Sequence, residues 1–309
     1  MSGSGVRALV AAAALILLAP ACGTAGSGEL SEVRLAVGSK EFTEQLLLGQ
    51  ITILALENAG AEVADQTGIT GSVAVREALL IGEIDMYWEY TGTGWTVHLG
   101  ETEPPDTPEE QYEAVAERDL EENGIRWLPP APANSTYAFA VRSEAAEELG
   151  VEKVSDFGRL IQEDPQAASL CIGTEFATRD DGLPGVEQAY GFEWPEQAIT
   201  RMDEGQIYQA VDRGNPCNFG EVLATDGRIA ALGLTIIEDD RNFFPVYNPS
   251  LNVRQEALQE HPAIEEIFAP ISEALTTETL QDLNARIDVE GELPETVAED
   301  WLRENGFIE

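Results

Sequence analysis

The chain has very few of the residues on which several kinds of chemistry depend. Of its 309 residues, three are cysteine and two are histidine, His98 and His261, which lie far apart in sequence. No Cys/His cluster has metal-ligand spacing, so neither a zinc site nor a cofactor is expected. Basic residues are also scarce: 17 Lys and Arg stand against 57 Asp and Glu, a formal net charge of −40. Such a composition leaves no basic patch for nucleic acid or an anionic lipid surface, and it keeps the protein hydrated and soluble at high salt. Only two lysines occur, Lys40 and Lys153, and that scarcity singles out Lys40. Beyond the N-terminal region no apolar run approaches the roughly 20 residues that a transmembrane helix needs. The G-x-x-x-x-G-K-[ST] phosphate loop and the G-x-S-x-G elbow are both lacking, so an enzyme is not expected.

The first residues are more informative. Arg7 precedes an apolar run from Ala8 to Leu18, and then comes Ala19-Pro20-Ala21-Cys22. This is an export signal over residues 1–22. A cysteine directly after small residues resembles a bacterial lipobox, in which the Cys22 thiol is lipidated and becomes the new N-terminus. Residues 23–32 then read as a flexible tether. The mature chain is expected at the outer face of the cytoplasmic membrane or in the periplasm, held to the membrane by lipid only. The two other cysteines, Cys171 and Cys217, are expected to pair, because an oxidising compartment favours a disulfide over two free thiols.

A hydrophobic content of 43% over this length supports one large or two medium cores, and two lobes are expected. Val33 to Val37 alternates as a strand ending at Gly38-Ser39. Leu47, Ile51, Leu54 and Ala55 then recur at helical spacing up to Asn58 and Gly60. A second helix is expected from Val73 to Ile81 with Gly82 as its stop, followed by a strand from Ile84 to Tyr87. This alternation implies a mostly parallel sheet with ligands at the strand ends. Glu101 to Glu110 reads as a solvated loop. After the breaker-rich LPPAPANS, the strand Thr136–Val141 opens a second unit. In it, helices are expected at Val154–Gln162, Gly185–Tyr190 and Gln206–Asp212, with strands at Ser169–Ile172, Gly220–Leu223 and Ile229–Leu234. Phe243 to Tyr247 reads as a return strand, and helical patterns follow from Ile264 to Ile271 and from Leu275 to Ile287. The outcome is a discontinuous first lobe, 33–136 plus 246–309, interrupted by a second lobe, 137–245. Two crossings between lobes make a hinge suited to closure around a ligand.

The segment GEIDMYWEYTGT places Tyr87, Trp88 and Tyr90 beside Glu83, Asp85 and Glu89. Aromatics favour strands and cores, yet Tyr90 directly precedes Thr91-Gly92-Thr93, where a ring can line a cleft. Together with VGSKEFTEQLLLGQ, AVREALLIGEIDMYWEYTGT, NSTYAFAV, GTEFATRDDG and ATDGRIAALGLTIIEDDRNFFPVYNP, in that order, the chain resembles the substrate-binding proteins of ABC importers for glycine betaine, choline, carnitine and related quaternary amines. The resemblance implies an α/β, two-lobed periplasmic-binding-protein-like fold of type II, with hinged lobes and the ligand cleft between them. It also implies a cage of tyrosines around a trimethylammonium. A quaternary ammonium donates no strong hydrogen bond, so ring quadrupoles must hold it, each contributing about 0.5–2 kcal/mol when desolvated.

Carried over by motif, Tyr90, Tyr137 and Tyr247 are the cage candidates, and Lys40, Thr93 and Arg179 would hold a carboxylate, the arginine bidentately. Lys40 lies where a strand meets a helix, whose N-terminus would reinforce anion binding. Gln45 and Trp88 are weaker candidates. Family members commonly supply another tyrosine just before ATDG, where this chain has Leu223, so Phe219, Trp88 or Phe244 would have to close that wall. The expected role is the solute-binding component of an osmoprotectant importer: a monomer that delivers its ligand to a permease driven by a separate ATPase. The competing readings are a binding protein of the same fold for another small amine or amino-acid-derived ligand, a sensor or display module, and an extracellular enzyme.

Overall fold

The computed structural model describes Met1 and residues 28–101, 105 and 107–309. The export signal, Cys22 and most of the expected tether lie outside the described residues. Two five-stranded sheets form the frame. The first contains β1 (Arg34–Gly38), β2 (Glu62–Gln66), β3 (Met86–Tyr90), β4 (Ile125–Trp127) and β10 (Pro249–Arg254), in the order β2-β1-β3-β10-β4. The second contains β5 (Tyr137–Arg142), β6 (Leu170–Ile172), β7 (Ile199–Arg201), β8 (Phe219–Leu223) and β9 (Leu234–Ile237), in the order β7-β6-β8-β5-β9. The first sheet therefore draws on both ends of the chain, and the second on its middle.

Neither sheet is mostly parallel as the alternation implied. β1 runs parallel to β2 and β3, but β10 lies antiparallel between β3 and β4. In the second sheet β6 is parallel to β7 and β8, whereas β5 is antiparallel to β8 and β9. The strand that carries the chain into or back from the other lobe enters against the local direction. Helices cover the faces. Thr43–Asn58 and Pro294–Glu304 pack with β1 and β3 around Leu47, Ile51, Trp88, Leu251 and Trp301. The second lobe has its own core of Phe139, Phe157, Phe176, Trp194 and Phe219.

Most expected elements are present with shifted ends. The helix Ser72–Ile81 stops at Gly82, whose φ of 78° is the left-handed value that ends a helix without a side-chain clash. The strand expected at Ile84–Tyr87 is displaced to Met86–Tyr90, because pairing with β10 (Tyr90 opposite Pro249, Met86 opposite Val253) extends it to the end of the aromatic run. Three local readings are corrected. Ile229–Leu234 is not a strand: Arg228–Ala231 is a helical turn, Gly233 takes a left-handed φ of 63°, and the strand begins at Leu234. Phe243–Tyr247 crosses back without strand pairing, since Pro245 has no N–H and the Tyr247 N–H donates to the Asn134 side chain at 2.8 Å. The end of the supposed loop Glu101–Glu110 starts a helix, Pro108–Asn123, capped by Thr107.

Cys171, in β6, and Cys217, just before β8, are joined as a disulfide with 5.6 Å between their Cα atoms. Among the described residues no helix is long and apolar enough to cross a membrane. The disulfide closes a loop with a sequence separation of 46, for which chain entropy gives about 4 kcal/mol. Replacing both cysteines by serine should therefore lower the melting temperature clearly and flatten its response to reductant. An unchanged melting temperature would remove the disulfide's role in stability.

Candidate functional site

The site grows from the ends of three strands and two turns. β1 ends at Gly38, and Ser39-Lys40 leads into the helix Thr43–Asn58. Lys40 is buried, and its Nζ donates to Glu89 Oε1 at 2.6 Å, not to Glu41 or Glu44. Glu89 itself is fully buried on β3. It also accepts the Tyr90 backbone N–H at 2.8 Å and the Tyr87 hydroxyl at 2.9 Å, and His98 Nε2 lies 3.0 Å from it. Burial opposes the charge on Glu89, but Lys40 and His98 outweigh it and hold its carboxyl far below the usual carboxylate range.

Tyr90, at the tip of β3, points its hydroxyl to Glu44 Oε1 at 2.8 Å, where the Ser135 hydroxyl also donates at 2.7 Å. Lys40 Nζ sits 5.2 Å from the centre of the Tyr90 ring, and Phe42 stacks on that ring at 6.3 Å. After Tyr90 the chain turns through Thr91–Thr93, where Gly92 is required: a Cβ there would lie 2.7 Å from the Tyr247 ring. Tyr137 opens β5 opposite Leu223, the last residue of β8. Its ring meets Tyr247 edge-on at 5.4 Å and Phe176 at 5.1 Å.

Arg179 comes from the turn after β6. Its guanidinium holds Asp181 through two bonds of 2.7 and 2.6 Å, reaches Glu175 at 3.3 Å and Thr93 Oγ1 at 3.4 Å, and lies 5.5 Å from the Tyr137 ring centre. Asp181 also accepts from the Tyr247 hydroxyl at 2.5 Å and from Thr96 at 2.8 Å. Burial disfavours the Asp181 charge, but Arg179 and these hydroxyls hold its carboxyl below the usual range. Glu175 of the second lobe caps the helix Ser72–Ile81 of the first, accepting the Ser72 N–H at 2.6 Å and its hydroxyl at 3.0 Å. Gly71, at the N-cap, has no side chain to do so.

Lys40, Tyr90, Thr93, Tyr137, Arg179, Leu223 and Tyr247 thus line one narrow cavity of about 30 Å³, joined by Phe42, Ser135 and Glu175. A wider chamber of about 520 Å³ adjoins it, sharing Glu41, Phe42, Glu175, Glu204 and Leu223. Two weaker candidates fall elsewhere. Trp88 is buried in the first core with its indole N–H on Thr52 Oγ1, and Gln45 locks the backbone, accepting the Lys40 N–H at 3.1 Å and donating to Trp88 O at 2.9 Å. Phe219 lies in the second core, and Phe244 packs behind Tyr137 at 6.3 Å, so neither replaces the ring missing at Leu223. Sequence reasoning missed Phe42, Glu44 and Ser135. Phe42 lies inside VGSKEFTEQ, where an aromatic at the mouth of a helix was the available signal.

A model of the substrate-binding domain of ABC-type glycine betaine transport systems matches residues 33–304. The chain belongs to that family. It is the substrate-binding component of an ABC-type importer of the glycine betaine class, a family of transport binding proteins that act outside the cytoplasm with a permease and an ATPase. It is 38% identical over 280 residues to a glycine-betaine-binding protein of Pseudomonas aeruginosa, covering 89% of each chain. It is 36% identical over 276 residues to the glycine betaine-binding protein YehZ of Escherichia coli, covering 88% of this chain and 90% of that one. The solved structure of apo YehZ superposes with a TM-score of 0.66 at 35% identity, covering 89% of this chain and 99% of that one. The two-lobed fold expected from the family motifs is therefore present.

The chamber holds a pair of carboxylates that titrate unusually. Burial first, and then the nearby Glu204, pushes Glu221 up to about 8. Burial, with Glu175 and Glu41, pushes Glu204 up to about 7. In the unfolded chain Glu221 ionises near 4.5. Between that pH and about 8 the folded protein holds more protons than the unfolded one, so Glu221 costs stability increasingly as pH rises. Glu221→Gln should match the wild-type melting temperature near pH 4 and exceed it above pH 8. A difference that is constant with pH would refute this assignment.

Proposed function

We propose that the narrow cavity is a quaternary-ammonium cage in which Tyr90, Tyr137 and Tyr247 face a trimethylammonium, with Phe42 extending the aromatic wall. Lys40, Thr93 and Arg179 then meet a carboxylate on the same ligand. The reading rests on one observation: three tyrosines from three separate segments converge on one cavity between the two lobes, with two guanidinium or ammonium groups beside them. Glycine betaine fits this pattern, and choline, carnitine and proline betaine share its cation. The mature chain, lipid-anchored through Cys22 on the outer face of the membrane, acts as a monomer and delivers its solute to the permease for osmoprotection. The lobes divide at 136/137 and 245/246, and closure brings Thr93 of one against Arg179 of the other.

The cage predicts that Tyr90→Ala or Tyr137→Ala abolishes calorimetric binding of betaine and choline alike, since several rings at about 0.5–2 kcal/mol each account for most of the affinity. Arg179→Ala should weaken betaine by at least about tenfold and choline far less, because one charge-assisted bond to a carboxylate is worth about 1.5–3 kcal/mol. Equal losses for the two ligands would remove the carboxylate role of Arg179. Deleting the protein should reduce solute uptake; uptake that survives deletion would favour a sensor or display module.

A further inference from the structure

The wide chamber is far more acidic than the cage, where Lys40 and Arg179 stand against Glu41, Glu175 and Glu204. Eight carboxylates face it against a single base, Arg228, which Asp226 pairs at 2.5 Å and Asp288 approaches at 3.6 Å. These are not all solvated surface acids. Glu221 is only 3% exposed: one of its oxygens accepts the Gly173 N–H at 2.8 Å, and the other has no donor among the described residues. Glu204, which lines both cavities, has no hydrogen bond or ion pair among the described residues. Two further lining residues, Thr225 and Asn284, are 1% and 2% exposed, and their Thr225 Oγ1 and Asn284 Oδ1 atoms are buried without a partner. Buried polar atoms are usually partnered, so Thr225 Oγ1 and Asn284 Oδ1 are atoms that an incoming donor would meet.

The cage alone, at about 30 Å³, is far below the roughly 300–1,000 Å³ of ordinary ligand pockets, whereas the chamber at about 520 Å³ lies within that range. Leu223 borders both, and no ring separates them at that position. The positive groups of the cage are already engaged, Lys40 by Glu89 and Arg179 by Asp181. An incoming group that carries N–H donors and positive charge meets open acceptors in the chamber, and a carboxylate there meets repulsion.

We propose that the chamber is a second subsite, contiguous with the cage, that takes a hydrogen-bond-donating cationic group on the far end of an elongated trimethylammonium ligand, with Glu204 and Glu221 as its principal acceptors. This rests on the cage reading for the near end of the ligand. Burial first, and then the neighbouring carboxylates, raises the affinity of Glu204 and Glu221 for protons, and a bound cation would relieve the second of these causes.

Matched ligand pairs test it on the soluble chain by calorimetry. Aminoalkyl-trimethylammonium ions with spacers of two, four and six methylenes are compared with alkyltrimethylammonium ions of equal length, and choline is included. At one or more spacer lengths the amine should bind about tenfold more tightly than its alkyl match, the gain expected of a charge-assisted hydrogen bond. Glu221→Gln, which keeps an acceptor for Gly173, should reduce that preference to within about threefold while alkyltrimethylammonium affinity stays at the wild-type value. Equal binding of amine and alkyl partners at every length overturns the subsite and leaves the cage standing, as does a preference that survives Glu221→Gln. Amines that bind while choline and the alkyl ions do not would refute the cage and keep the chamber. Silence from all of them would overturn both.

Discussion

The buried ion pair between Lys40 and Glu89 is the contact about which the cleft is assembled. Lys40 belongs to the turn after β1 and Glu89 to β3, so the pair ties two neighbouring strand ends together where the ligand cavity opens. An isolated carboxylate could not be buried there, and removing one partner of such a pair typically costs about 3–5 kcal/mol. Glu89 is tolerated because donors surround it: Lys40, the Tyr90 N–H, the Tyr87 hydroxyl and His98. The same contacts anchor the Tyr90 backbone and hold Lys40 over the Tyr90 ring, whose hydroxyl Glu44 accepts. A charge that contributes little to net stability thereby sets the geometry of an aromatic wall.

The two lobes are joined differently from the way each is built. Within a lobe the contacts are apolar and continuous, from Leu47 to Trp301 in the first and from Phe139 to Phe219 in the second. Across the cleft they are mostly polar: Glu175 capping the helix Ser72–Ile81, Asp181 receiving Thr96 and Tyr247, Arg179 touching Thr93, and Gln281 and Asn284 donating to the carbonyls of Ala224 and Thr225, with the Tyr137–Tyr247 ring contact beside them. Polar contacts can be exchanged for water at small net cost, whereas apolar interdigitation cannot, and this is the physical basis of hinge motion between rigid bodies. Glu175 also links closure to local order, because it satisfies a helix end that Gly71 leaves open.

Charge in the cleft is distributed with a sense. In the narrow cavity Lys40 and Arg179 are each paired with a carboxylate, and Glu41, Glu175 and Glu204 line it as well. In the chamber the carboxylates outnumber the single, already paired arginine, and low-dielectric walls concentrate their field. The −40 total charge gives no hint of this asymmetry, because most acids face water.

What the sequence determined by itself was local or ordered along the chain. The helix Thr43–Asn58 announced itself by periodicity, Gly82 by its role as a stop, and the ordered motifs named the family, its two-lobed fold and the tyrosines now found around one cavity. The disulfide followed from compartment and count. Tertiary structure alone decided the rest. Which strands run antiparallel depends on where the chain returns, so β10 displaced β3 and stripped Phe243–Tyr247 of strand character. Trp88 and Gln45 were turned to the core and to the backbone because side-chain direction follows sheet packing. Glu89, Glu44 and Glu221 were three acids among 57 until folding removed them from water, since burial and neighbouring charge are properties of the assembled cleft and not of any segment.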